Sequence, residues 1–270
     1  MVRLGAVSYL NARPLVHGLE NQPERFELRY DIPSECARLL HAHEIDVGLI
    51  PSIEYLRGPL PYIIVPGPAV TSRGPVASVA IYTRREPGDI RTIAMDTSSR
   101  TSVALATVIV QRRFGVTVEP VAMAPDLDAM LARADAALII GDVALFLDHA
   151  ASGVRKIDLG EEWTEMTGLP FVYACWSGWP RAVNREDVAV LQRSRDEGVA
   201  QSDAVAAAYY PDDMHRQAVA RRYLRDNIQY ILGGSEIEGL TTFFRYASEL
   251  GLVAYDGHLR FYDAEHHGAG

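Results

Sequence analysis

Short apolar runs, separated by polar turns and by stretches of helical periodicity, extend along most of the chain. Apolar or alternating runs of about four to eight residues are typical of strands. They occupy residues 4–7, 26–32, 46–50, 62–66, 76–82, 92–95, 116–120, 136–140 and 171–176. Helical patterns between them, clearest at residues 103–114, and a mainly helical last third predict an α/β protein.

The turn at residues 96–102 contains more polar groups than a helix cap requires. It joins the strand at 92–95 to the helix at 103–114, and its polar side chains are Thr97, Ser98, Ser99, Arg100, Thr101 and Ser102. A helix N-terminus has unpaired N–H groups and the positive end of a dipole. Hydroxyls and a guanidinium added there predict a site for a carboxylate or phosphate. The alternative is a helix that is merely over-capped.

Polar residues also follow two of the earlier strands. Ser8 and Asn11 come after the first strand, whose carboxyl end commonly faces the ligand crevice of an open α/β sheet, and Ser52 ends the strand at 46–50. Asn11 can donate and accept, so it is a candidate for orienting a ligand hydroxyl or carbonyl. It could equally cap the helix that begins near Pro14.

Ser72, Arg73 and Gly74 form another polar turn, placed before the strand at 76–82. They could present a second guanidinium and a backbone N–H to an anion. An ordinary solvent-exposed turn arginine is the alternative.

Asp142 follows the fully apolar strand at 136–140. Its simplest role is the cap of a helix at residues 143–149, which we rank above a catalytic one. The alternative is an acid or base that acts on a ligand hydroxyl.

Two changes of composition suggest that the chain passes twice between two lobes. Residues 84–89 resemble a linker, and an aromatic-rich strand follows a Gly-Leu-Pro turn near residue 170. We therefore predict a discontinuous first lobe of residues 1–83 and 175–270, and a second lobe of residues 84–174.

Charge and motif content exclude several classes of function. The 26 basic and 35 acidic residues give a net charge of −9, which argues against nucleic acid or an anionic membrane as the main partner. The start of the sequence has no secretory pattern, so we expect a cytoplasmic protein. Two widely spaced cysteines, Cys36 and Cys175, predict neither a zinc site nor a disulfide. Phosphate-loop and dinucleotide-binding fingerprints are absent from the sequence.

Six motifs together resemble, in order and spacing, the chorismate dehydratases of the futalosine route to menaquinone. They are Ser-Tyr-Leu-Asn at 8–11, Asp-Val-Gly-Leu-Ile-Pro-Ser at 46–52, Ser-Arg-Gly-Pro-Val at 72–76, Asp-Thr-Ser-Ser-Arg-Thr-Ser at 96–102, Ile-Gly-Asp at 140–142 and Gly-Leu-Pro-Phe-Val-Tyr at 168–173. The resemblance implies a type-II periplasmic-binding-protein-like fold with two lobes, each a mixed sheet flanked by helices, around a ligand cleft. It also implies a lyase that converts chorismate to 3-[(1-carboxyvinyl)oxy]benzoate and water, the first step of that route, without metal or cofactor.

This resemblance leads to specific expectations about the site. Chorismate is a dianion, so the expected substrate contacts are Ser8, Ser52, Ser72, Arg73, Gly74, Thr97, Ser98, Ser99, Arg100, Thr101 and Phe171. We expect Asn11 to orient the departing hydroxyl and the substrate's enolpyruvyl carboxylate to take the proton, with Asp142 as the rival base. The alternative function is a non-catalytic two-lobed binding protein for a small anionic metabolite. The oligomeric state stays open, with a homodimer as one alternative.

Overall fold

The computed structural model describes residues 1–150 and 153–262. His266 and His267, which the sequence places in a tail rather than in a site, lie outside the described residues. The strands are β1 (Val2–Val7), β2 (Phe26–Asp31), β3 (Val47–Pro51), β4 (Ile63–Ser72), β5 (Val79–Thr83), β6 (Thr92–Asp96), β7 (Glu119–Met123), β8 (Ala136–Ile140), β9 (Arg155–Asp158), β10 (Phe171–Gly178) and β11 (Gln229–Leu232). The α-helices are α1 (Pro33–His41), α2 (Arg100–Arg113), α3 (Leu127–Leu131), α4 (Gly141–Phe146), α5 (Leu159–Thr167), α6 (Arg185–Ala200), α7 (Ser202–Tyr209), α8 (Met214–Arg222) and α9 (Gly234–Glu249).

The strands form two mixed sheets, each of which carries one lobe. The sheet of lobe 1 has the order β11-β4-β10-β3-β1-β2, and the sheet of lobe 2 has the order β7-β6-β8-β5-β9. In lobe 1, β1 is parallel to β2 and β3, while β10 is antiparallel to β3 and β4. In lobe 2, β6 is parallel to β7 and β8, while β5 is antiparallel to β8 and β9. The predicted pair of mixed sheets flanked by helices is confirmed.

Burial explains which strands the sequence predicted most readily. β3, β8 and β10 are buried along their whole length, because helices and neighbouring strands cover both faces. Their sequences are accordingly almost continuously apolar. β2 at the sheet edge is buried only at Phe26 and otherwise partly exposed, which fits its alternating sequence.

The chain changes sheets earlier than the sequence suggested. β5 already belongs to lobe 2, and β10 already belongs to lobe 1, so the crossings are residues 73–78 and 159–170. The linker-like residues 84–89 are instead a surface turn between β5 and β6. The prediction was misled because Pro and Gly mark any tight turn, whether it joins lobes or adjacent strands.

A buried carboxylate fixes the first crossing against the second. Asp158 accepts hydrogen bonds from the backbone N–H groups of Val76, Ala77, Gly160 and Glu161, at 2.7 to 3.2 Å. One side chain thus satisfies donors at 76–77 and at the start of α5. The geometry of both crossings therefore depends on Asp158.

Helix α6 holds the segment that follows β1 in place. That segment is a short 3₁₀ helix, Leu10–Val16, which packs against α6 at Gly198. A Cβ at Gly198 would lie 2.1 Å from the carbonyl oxygen of Pro14, so only glycine permits this approach. A helix from a distant part of the chain thereby helps to set the position of Asn11. Helix α6 itself begins at a capping box formed by Asn184 and Asp187.

Candidate functional site

A cavity lies between the lobes, where the carboxyl ends of β1, β3 and β8 meet the N-terminus of α2. It is lined by Val7, Tyr9, Asn11, Pro33, Pro51, Val70, Val76, Ser78, Val79, Ser99, Ser102, Ile140, Gly141, Tyr173 and Ala174. This is the position at which an α/β protein commonly binds a small molecule.

The polar groups of the cavity are uncharged. They belong to Tyr9, Asn11, Ser78, Ser99, Ser102 and Tyr173. In the described part of the chain, no Asp, Glu, His, Lys or Arg is among the lining residues. Burial raises the pKa of both lining tyrosines, so their hydroxyls stay protonated near neutral pH. The cavity can therefore donate and accept hydrogen bonds, and it offers no ordinary acid or base.

The N-terminus of α2 supplies the positive end of a helix dipole to this cavity. Ser99 is the N-cap in extended conformation, and its side chain makes no capping hydrogen bond. The Ser102 hydroxyl donates to Ser99 Oγ at 3.2 Å, and both residues line the cavity. Since the first N–H groups of a helix have no intrahelical partner, they and the two hydroxyls could hydrogen-bond an anion. The predicted anion-binding turn thus meets the cavity through Ser99 and Ser102.

Other residues of the same turn are not among the residues that line the cavity. Arg100 donates to Glu54 Oε2 at 2.8 Å, and Thr101 Oγ1 accepts from the Ile53 N–H at 3.0 Å. Thr97 is exposed, and the Ser98 N–H donates to Asp96. None of these four residues of the turn lines the cavity. Their predicted contacts with substrate stay predictions, and Arg100 and Thr101 have structural partners instead.

Glu54 explains why Arg100 turns outward. Its carboxylate is completely buried and also contacts His41 and Arg57. Burial alone would raise its pKa, but hydrogen bonds from His41 and Arg57 and the charge of Arg100 together hold the pKa below the usual range. Because removing one partner would leave a buried charge less compensated, Arg100 is committed to Glu54.

Asn11 reaches the cavity from the 3₁₀ segment of lobe 1, and Ser78 reaches it from the first crossing. The hydroxyls of Ser78 and Tyr223 share a hydrogen bond of 2.7 Å. The Asn11 side chain lies close enough to the Tyr223 hydroxyl, behind the cavity wall, to lower its pKa. The amide and the serine hydroxyl are therefore held near each other by one buried group.

Gly141 allows Tyr9 to close against the end of β8. Its φ of +69° favours glycine, and a Cβ there would lie 3.0 Å from the Tyr9 ring. The ring and the glycine both line the cavity. A close contact between the lobes thus explains the glycine of the Ile-Gly-Asp motif.

Asp142 lies beside the cavity rather than in its lining. Its Oδ1 accepts from the Leu10 N–H at 3.2 Å, and its Oδ2 is 2.6 Å from the Tyr209 hydroxyl. Burial raises the pKa of Asp142, although the hydrogen bonds from Tyr209 and Leu10 oppose the shift. Both carboxylate oxygens connect α4 of lobe 2 to lobe 1. The preferred prediction, a cap of the following helix, is wrong, because Asp142 lies in the first turn of α4 and its carboxylate binds Leu10 and Tyr209 instead.

The remaining predicted contacts are not among the lining residues either, and each has a partner within the protein. The Ser8 carbonyl accepts from Arg13 and Tyr209, and Ser52 Oγ donates to the carbonyl of Val172. Phe171 packs edge-on against Trp163, Tyr173 and Phe243.

Residues 72–74 use their polar groups within the protein. The hydroxyls of Ser72 and Tyr173 share a hydrogen bond of 2.9 Å, Arg73 donates to the Gly168 carbonyl, and the Gly74 N–H donates to Thr164. Their proposed contacts with substrate remain untested predictions.

The sequence of residues 2–249 matches the family model described as menaquinone biosynthesis. The chain belongs to this menaquinone biosynthesis family. A curated relative named chorismate dehydratase, from Thermus thermophilus, is 29% identical over 226 residues, which are 76% of this chain and 80% of the relative.

Solved structures confirm the fold of this family member. The protein AF1704 of Archaeoglobus fulgidus has a TM-score of 0.73 at 19% identity, with 93% of this chain and 98% of that one covered. The periplasmic aliphatic sulphonate binding protein SsuA of Escherichia coli has a TM-score of 0.66 at 16% identity, with 100% and 96% covered. The family member thus has the predicted periplasmic-binding-protein-like fold. Within residues 1–150 and 153–262, its helices are all too short or too polar to cross a bilayer.

Sequence reasoning did not name several residues that line the cavity of this family member. Tyr9 and Gly141 lie inside motifs that were recognised, so their positions were a usable signal. Ser102 was named as part of the anion-binding turn but not among the expected substrate contacts. Ser78 lies in a run that reads as an ordinary strand, and no local pattern distinguishes it. Tyr223, behind the cavity wall, lies in the helical last third, where no sequence pattern indicates a site.

Proposed function

We propose that this chain dehydrates chorismate to 3-[(1-carboxyvinyl)oxy]benzoate and water, and is thus a carbon-oxygen lyase of menaquinone biosynthesis. Membership of the family and the name of the Thermus thermophilus relative support an enzyme of this route. The observation that carries the proposal is a cavity between lobes whose polar groups are an amide, hydroxyls and a helix N-terminus. These groups suit a small polar anion.

The reaction needs positioning more than a strong protein base. The C3 proton of the ring and the C4 hydroxyl leave, the C3–H electron pair becomes part of the ring, and the ring becomes aromatic. Because aromatisation drives the step, the protein must mainly orient the substrate and hydrogen-bond the departing oxygen. In our proposal Asn11 does this, with Ser78 beside it.

The proton acceptor in this proposal is the substrate itself. Its enolpyruvyl carboxylate takes the C3 proton and then protonates the departing hydroxide, which leaves as water. The absence of an ordinary acid or base among the described lining residues favours this route over Asp142, whose oxygens already accept from Leu10 and Tyr209. The N-terminus of α2, with Ser99 and Ser102, would hold one substrate carboxylate.

Incubation of the purified protein with chorismate tests the proposal. We expect time-dependent appearance of the aromatic ether, detected by its mass, at a rate proportional to protein concentration. Chorismate that is bound but recovered unchanged would contradict the proposal and would restore the binding-protein alternative, which the biosynthetic family does not favour. The Asn11→Ala variant is the control for a contaminating activity, because only catalysis by this chain should fall with it.

A further inference from the structure

We propose that Tyr223 is a positioning residue, whose buried hydroxyl orients Asn11 and Ser78 toward the substrate. This inference rests on the proposed function for its kinetic consequence. Its structural part, the orientation of the two side chains, can be tested without substrate.

Tyr223 brings together parts of the chain that are far apart in sequence. It begins a turn of π-helix, Tyr223–Asn227, after α8, and its side chain is 2% exposed. Single π-turns inside or after α-helices often occur at functional sites, because they redirect one side chain. Here the redirected hydroxyl lies 2.7 Å from Ser78 Oγ, and the Asn11 side chain is near enough to affect its pKa. One oxygen thus lies between the 3₁₀ segment of lobe 1 and the first crossing.

The hydroxyl stays protonated, so it can donate and accept at the same time. Burial raises the pKa of Tyr223 far above neutrality, although the hydrogen bonds with Ser78 and Asn11 oppose the shift. A neutral tyrosine has one proton to donate and accepts with its oxygen. It can therefore fix both the rotation of the Ser78 hydroxyl and the direction of the Asn11 amide.

Ser78 depends on this contact because its backbone is already fixed. The Gly141 N–H donates to the Ser78 carbonyl at 2.8 Å, and Ser78 is 1% exposed. Only the side-chain hydroxyl can still rotate, and Tyr223 is the hydrogen-bond partner that the structure gives it. Without that partner the hydroxyl could adopt several rotamers, and fewer molecules would present it correctly to the departing oxygen.

Tyr230 provides a matched control. It is equally buried, at 4% exposure, but its hydroxyl has no hydrogen-bond partner among the described residues. Replacement of either tyrosine by phenylalanine removes one oxygen and keeps the ring. The two variants therefore differ in whether the lost oxygen was hydrogen-bonded to residues of the cavity.

The first experiment compares the steady-state kinetics of Y223F and Y230F with chorismate. We expect kcat of Y223F to fall about tenfold or more with KM within about threefold, because orientation matters most in the transition state. We expect Y230F to stay within about twofold in both constants. In a background that carries both Asn11→Ala and Ser78→Ala, Y223F should cause no further loss, because its effect passes through these two side chains.

The second experiment requires no catalysis. The side-chain amide resonances of Asn11, observed by nitrogen-15 NMR, should shift in Y223F and stay unchanged in Y230F. Equal kcat for the two variants, or a full tenfold loss from Y223F in the Asn11→Ala/Ser78→Ala background, would overturn the kinetic claim. Unshifted Asn11 resonances in a folded Y223F would overturn the orientation itself.

The outcomes also separate this inference from the proposed function. A wild-type protein that leaves chorismate unchanged, with Asn11 resonances that still shift in Y223F, contradicts the function and supports the orientation. Thermal unfolding curves show whether each variant is folded. If Y223F does not fold, Ser78→Ala becomes the second variant, and unshifted Asn11 resonances there would count against the shared network.

Discussion

The turns at residues 72–74 and 96–102 have similar composition, since both combine serine hydroxyls with an arginine, yet they use these groups differently. In the second turn, the helix cap Ser99 makes no capping hydrogen bond with its side chain and lies at the cavity with Ser102. In the first turn, Ser72 pairs with the Tyr173 hydroxyl and Arg73 with the Gly168 carbonyl. Composition therefore indicates that a turn can bind an anion, and the neighbouring residues decide whether its groups are available.

The difference has a physical cause that lies outside either turn. The acceptors and donors that engage residues 72–74 belong to the second crossing and to the start of β10, about ninety to a hundred residues further along the chain. That turn therefore joins the two crossings, and loss of its buried hydrogen bonds should affect stability. Changes on the cavity side should affect turnover.

The largest effect should come from the cavity side, at Asn11. We expect Asn11→Ala to lower kcat/KM about 100- to 1,000-fold, because it removes a group placed to hydrogen-bond the departing oxygen. Steady-state kinetics with chorismate measure this. Asn21→Ala, at an exposed position beyond the 3₁₀ segment, is the control and should have wild-type kinetics. A loss below tenfold for Asn11→Ala would place the leaving-group contact elsewhere.

The next largest effect should come from the crossings, at Asp158. Asp158→Ala would leave four backbone N–H groups without their acceptor. We expect the free energy of unfolding to fall by about 3 kcal/mol, measured by urea denaturation. Asp128→Ala, at an exposed position in the first turn of α3, should change it by less than about 0.5 kcal/mol. Equal losses in the two variants would show that the crossings do not depend on this carboxylate.

Asp142 should have a smaller effect, which depends on pH. We expect Asp142→Asn to keep kcat within about tenfold of the wild type, whereas loss of a general base costs about 100- to 10,000-fold. A larger loss with binding intact would make Asp142 the base and contradict substrate assistance.

The pH dependence of stability gives a second test of Asp142. Because the pKa of Asp142 is raised in the folded state, its contribution to stability is present below about pH 3.9 and is lost as pH rises through the folded pKa. The side chain introduced by Asp142→Asn cannot ionise, so the variant does not lose this stability as pH rises. Its stability relative to the wild type should therefore increase between about pH 3.5 and about pH 7, as urea denaturation at each pH would show. A difference that is constant with pH would contradict the raised pKa.

The smallest effect should come from Arg73. Its side chain is exposed and donates to one backbone carbonyl. We expect Arg73→Ala to change the free energy of unfolding by less than about 0.5 kcal/mol and kcat/KM by less than about twofold. A tenfold rise in KM would show instead that this guanidinium reaches the substrate.

The sequence was sufficient to predict the fold but only part of the site. Buried strands such as β8 are apolar along their length, so local pattern identifies them. Asn11 follows a strand and Ser99 caps a helix, and the ends of both elements meet the cavity. The sequence analysis named both residues. It also named Arg100 and Arg73, whose partners Glu54 and Gly168 are distant in sequence and could not be inferred from local pattern.

Residues that act through long-range contacts were beyond local reasoning. Ser78 reads as part of a strand, and Tyr223 becomes relevant only because a π-turn directs its hydroxyl to Ser78. The crossings were placed too late for a related reason, since the anchoring contact between Asp158 and residues 76–77 leaves no signature in either segment.

The most direct test of the difference between the two turns removes the serine hydroxyls of each turn and measures the affinity for chorismate. Isothermal titration would compare Ser72→Ala with the double variant Ser99→Ala/Ser102→Ala, both in the Asn11→Ala background so that turnover is slow. We predict that the double variant weakens binding about tenfold or more, because it removes two donors from the anion receptor, while Ser72→Ala changes the dissociation constant by less than about twofold. Weaker binding in Ser72→Ala than in the double variant would contradict the account.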